Sequence, residues 1–103
     1  MKKMLDSGIA AMFDQIHDDL KGMVAYFAEQ LQTTSAEVLW QDEYSQFMSR
    51  RAYDLLVKAA KATGIQDGHY RTPNKQDVLD GKSGNAFQDL CMVMLIEAGE
   101  RRR

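Results

Sequence analysis

The chain is poor in the residues that anchor many small folds, with one cysteine, one proline and one tryptophan, and two histidines, in 103 residues. A lone thiol, Cys91, makes no intrachain disulfide, which excludes a disulfide-stapled scaffold and points to a reducing compartment, the cytoplasm. Long apolar runs are missing too. The longest, Leu90 to Ile96, falls far short of the roughly 20 residues a membrane-spanning helix requires. The first residues, Met1 to Asp6, reach an acidic side chain before any apolar stretch develops, so no secretory signal is expected. Nor is there an excess of one charge. Lys and Arg total 13 against 15 Asp and Glu, and a net charge of -2 gives no global attraction to nucleic acid or an anionic membrane.

Helical periodicity is abundant. Leu5, Ile9, Met12, Phe13, Ile16, Leu20, Met23, Val24, Phe27 and Leu31 recur at steps of three and four, predicting an amphipathic helix from about Asp6 to Gln32. Written as heptads, Phe13, Leu20 and Phe27 occupy one seam position and Ile9, Ile16 and Met23 the other, the spacing at which two helices pack along their length. A helix of that length, roughly 40 Å, overhangs a domain with a radius of gyration near about 13 Å, which favours a second copy over a bend at Gly22. Thr34-Ser35-Ala36-Glu37 reads as a capping box opening a second helix, in which Trp40, Tyr44, Phe47, Met48, Ala52, Leu55, Leu56 and Ala59 keep the period until Gly64. Asp54 and Lys58 are spaced for a surface ion pair.

The pattern then breaks into a loop, Ile65 to Arg71, with Asp67-Gly68 as its turn and Thr72-Pro73 opening a short helix anchored by Val78 and Leu79. Ser83 or Asn85 can cap a last helix through Phe87, Leu90, Cys91, Met94, Leu95 and Ala98. Met92, Val93 and Ile96 fill its other faces, so this helix is expected to be buried on all sides. The expected fold is therefore all-α: one domain over residues 1–103, with flexible ends at about 1–5 and 100–103, forming a bundle of about four helices, two long, one short and one buried at the C-terminus, as a homodimer.

Few residues suggest chemistry. Asp14 and His17 stand one turn apart, as bundle metal ligands do, but a metal site needs further converging ligands and His69 has no matching acid. Cys91 lies in the most apolar stretch, where a thiol is inert. Gly81-Lys82-Ser83 resembles the end of a phosphate-binding loop without its leading glycine or a preceding strand. No enzyme, cofactor or metal is expected.

Binding is expected instead. Trp40, Tyr44, Asp67, His69, Tyr70 and Arg71 supply the aromatic and arginine character that dominates interface energetics, and Ile9, Phe13, Ile16, Leu20, Met23 and Phe27 a dimer seam, which makes the chain a protein-interaction or regulatory module. The alternative is a DNA- or RNA-binding regulator using Arg50, Arg51, Arg71, Lys75 and Lys82 with Arg101, Arg102 and Arg103.

Overall fold

The computed structural model of the chain describes residues 7–63, 65, 66, 69, 70, 75–82 and 85–101. Asp67, Arg71, Arg102 and Arg103 lie outside the described residues, as do the side chains of Ile9, His69, Tyr70 and Arg101. The order is α1 (Ser7–Gln30), α2 (Ala36–Asp42), a 3₁₀ turn (Tyr44–Gln46), α3 (Arg50–Thr63), β1 (Ile65–Gln66), β2 (His69–Tyr70), α4 (Lys75–Leu79) and α5 (Asn85–Arg101). The class is all-α. The two strands are a two-residue antiparallel pairing, Ile65 opposite Tyr70 and Gln66 opposite His69.

The first helix runs unbroken through Gly22, and its three-and-four spacing buries Phe13, His17, Leu20, Val24, Phe27 and Ala28. These residues face α3 and α5, which pack against each other more extensively than any other pair of elements. Phe13, Leu20 and Phe27, expected at a dimer seam, are thus spent in the chain's own core, with Ile16 and Met23 half-buried against it. The overhang expected from the length of α1 also disappears. The molecule measures 46 × 32 × 17 Å with a radius of gyration of 14.1 Å, so it is a slab whose long dimension accommodates about 36 Å of helix. The expectation assumed a sphere.

The single helix expected from Thr34 to Gly64 is two helices. Ser35, not Thr34, is the first cap: its backbone is extended (φ -69°, ψ 153°) and its hydroxyl accepts from Val38 N–H at 3.3 Å. Glu37 therefore sits one position too early to close a capping box. The helix ends at Glu43, and after the 3₁₀ turn Ser49 caps α3, accepting from Ala52 N–H at 3.1 Å and donating to Glu97 Oε2 on α5 at 2.6 Å. Unbroken apolar spacing hid this break, because Tyr44 and Met48 stay buried within it.

An aromatic cluster fastens α1 to α2 and α3. Phe27 meets Tyr44 and Tyr53 edge-on at 5.2 and 5.4 Å between ring centres, the geometry that ring quadrupoles favour. Tyr44 donates to Gln30 Oε1 at 2.5 Å, and the Tyr53 hydroxyl donates to the Ala36 carbonyl. Of the two anchors expected in α4, only Val78 is buried, and Leu79 is exposed. That helix ends at Gly81, whose φ of 74° is unstrained only for glycine, with Gly81 and Lys82 N–H groups returning to the Val78 and Asp77 carbonyls.

Candidate docking groove

The last helix departs from expectation in a way that defines the candidate site. Phe87, Leu90, Cys91 and Val93 are buried against α1 and α3, but Met92 and Ile96 are 45% and 55% exposed on the opposite side. Among the described residues only the long helices α1 and α3 pack extensively against α5, and they leave one apolar stripe uncovered. Ser49, just before α3, bonds Glu97 near the end of α5, so the two helices must run antiparallel to line a shared channel over residues 51–58 and 89–96. That channel is a groove of about 640 Å³ lined by Arg51, Asp54, Leu55 and Lys58 from α3 and Asp89, Met92, Val93 and Ile96 from α5.

Charge divides the groove lengthwise. Arg51 and Lys58 stand seven residues apart on α3 and make no ion pair among the described residues, whereas Asp54 between them pairs with Arg50, 3.1 Å from its guanidinium. Asp89 lines the groove from α5, likewise without an ion pair among the described residues. The α3 wall is thus basic, the α5 wall acidic, and the floor apolar. The pair expected between Asp54 and Lys58 does not form, because Arg50 reaches Asp54 from the other direction.

Arg50 is the most heavily engaged side chain. It forks onto both carboxylate oxygens of Glu37 at 3.1 Å and lies 5.1 and 5.6 Å from the ring centres of Trp40 and Tyr53. Its hydrogen bond holds the Glu37 carboxyl below the usual value, and Glu37 in turn raises Arg50. Lys75 is similarly committed, 2.8 Å from Asp14, and that bond raises its ammonium pKa. Of the basic set expected for nucleic acid, two members are therefore spent on carboxylates, Arg51 lines the groove, and Lys82 is exposed after α4.

The other expected contacts divide in the same manner. Tyr44, 2% exposed, belongs to the core, and Trp40 is half-buried between Tyr53 and Arg50. Neither presents a free aromatic face. Asp14 and His17 do not converge: Asp14 binds Lys75 on the surface, while His17 is buried between Phe13 and Phe87, at 6.2 and 5.7 Å between ring centres. Its ring nitrogens have no hydrogen-bond partner among the described residues, the nearest carboxylate oxygen, on Asp18, being 3.5 Å from Nδ1 and too distant for a good N–H···O bond. No cluster of three or more His, Cys, Asp or Glu able to hold a metal occurs among the described residues. Burial pushes the Cys91 thiol up to about 12.

Sequence reasoning missed Lys58, Asp89, Met92 and Ile96 as site residues. The signal for Met92 and Ile96 is the surplus of apolar residues on α5, whereas Lys58 and Asp89 carry none of their own. The chain matches no family model, no curated protein and no solved structure. Among the described residues no helix is long and apolar enough to cross a membrane.

Proposed function

We propose that the chain is a cytoplasmic protein-interaction module, without catalysis, that works by receiving a protein helix in the groove between α3 and α5. One observation carries this reading: Met92 and Ile96 stand exposed one helical turn apart on the floor and rim of a groove with charged walls. Apolar pairs at that spacing are what an amphipathic helix covers, and the charges around them set its orientation. The groups best placed for chemistry support binding over catalysis. Cys91 and His17 are enclosed in the core, and Asp14 is tied to Lys75. A free, buried thiol suits a reducing compartment.

The test places a photo-crosslinking residue at position 92, and at position 82 as control, in the chain expressed in its own cells. The expected result is a protein adduct from position 92 and none from 82, whether the captured protein is another chain or a second copy. No adduct from 92, together with nucleic acid co-eluting with the purified chain, would replace the proposal with the nucleic-acid reading.

A further inference from the structure

We infer that the occupant of the groove is a second copy of the same chain, docked about a two-fold axis that runs along the groove. This rests on the α3–α5 groove being the working surface, and it names the partner. Two symmetric ways of laying this face on itself are open. With the axis across the groove, each α3 covers the other α3, so Arg51 and Lys58 oppose the same two cations. With the axis along the groove, each α3 covers the other copy's α5. Lys58 then lies at the end where Asp89 of the second copy stands, Arg51 lies over Ile96 at the other end, and Met92 and Leu55 close over each other at the centre. The distribution of charge selects this second arrangement, because like charges juxtaposed in an interface reject it and opposite charges register it.

Two further features agree with that choice. A two-fold interface must be self-complementary, each residue meeting a counterpart that meets it in return, and a groove with one basic and one acidic wall has this property only about its own long axis. Rotation about that axis preserves helix direction, and α3 and α5 are antiparallel within the chain. Every neighbouring pair in the resulting four-helix layer is therefore antiparallel, with helix dipoles opposed. The face is small. Two helices about 10 Å wide and roughly 20 Å long present on the order of 400 Å² per copy, about half the usual interface, so the association is reversible and dependent on concentration.

The experiment measures light-scattering mass across a concentration series, at low and high salt, for the unaltered chain, for Lys58→Glu, for Asp89→Lys and for the double exchange. Both positions are exposed, so the fold tolerates the changes, and circular dichroism checks it. The unaltered chain is expected to rise toward twice the 11.7 kDa chain mass with concentration, and to dissociate more readily in salt. Each single reversal sets like charges against each other twice in the dimer and is expected to weaken association at least about tenfold. The double exchange, which restores opposite charges in trans, and an equal mixture of the two single variants both recover dimer. Singles that dimerise as well as the unaltered chain, a double exchange that fails to recover, or a chain that stays monomeric throughout would each overturn the inference. In the last case an adduct at position 92 with a different protein leaves the groove standing as a docking site and removes only the second copy.

Discussion

At the scale of single residues, burial governs the protonation of Tyr44 and Cys91. Tyr44, enclosed beside Phe27 and Tyr53, has its hydroxyl pushed up from 10.0 to about 12 by desolvation, with the Glu43 carboxylate adding to the effect. The Cys91 thiol is pushed up from 9.0 to about 12 by desolvation alone. In both cases the folded chain holds the proton more tightly than the unfolded chain, so the stabilising contribution is complete below the ordinary value and is lost as pH rises through the folded one. Stability is therefore expected to be flat up to about pH 9 and to fall between about 9 and 12. Following urea unfolding against pH, with tyrosinate absorbance and thiol labelling as probes, checks this. Ionisation of all four tyrosines together near 10.0 in the folded chain contradicts it. Cysteine burial was legible from the apolar run around Cys91. The loss of Tyr44 from the surface was not, because a tyrosine at a helical core position and one at a binding face have the same spacing in sequence.

Among the elements, the break between α2 and α3 decides where the groove begins. Residues Trp40 to Ala59 keep an unbroken helical period, and periodicity alone continues a helix through Glu43 to Met48. What interrupts it is local hydrogen bonding. Ser49 offers its hydroxyl to the Ala52 N–H and its proton to Glu97, so starting a new helix there satisfies an orphan donor and ties α3 to α5. Replacing Ser49 with alanine removes both bonds and is expected to cost about 1–2 kcal/mol in chemical denaturation, more than the same change at Ser35, whose side-chain bond is to its own helix alone. Equal costs at the two caps would mean that the link to Glu97 contributes nothing. The first helix was legible from its apolar period and the last from its apolar run, whereas the number of helices was not, since five α-helices stand among the described residues where about four were expected. The division at Ser49 was not, since a serine between two apolar turns is also compatible with a continuous helix.

The whole molecule explains why one apolar stripe is left outside. Three long helices, α1, α3 and α5, make a slab 17 Å thick, and in so thin a layer a helix with apolar residues on every side shows one of those sides to solvent. The sequence makes α5 apolar on every side, and the fold shows which of those sides is left exposed. Leu90 and Met92 therefore do different work on the same helix, although hydrophobicity does not distinguish them. Leu90 is fully buried, and truncating it to alanine leaves a cavity expected to cost about 2–4 kcal/mol, with a matching fall in the urea midpoint. Changing Met92 and Ile96 together to glutamate leaves the buried side of α5 intact and is expected to keep the unfolding free energy within about 0.5 kcal/mol of the parent chain, while abolishing the mass increase with concentration. Measured side by side, the two variants separate stability from association. A large loss of stability in the Met92 and Ile96 variant would show that these side chains are interior in the working protein. Unchanged stability with lost association would show that α5 carries a core on one side and a docking surface on the other.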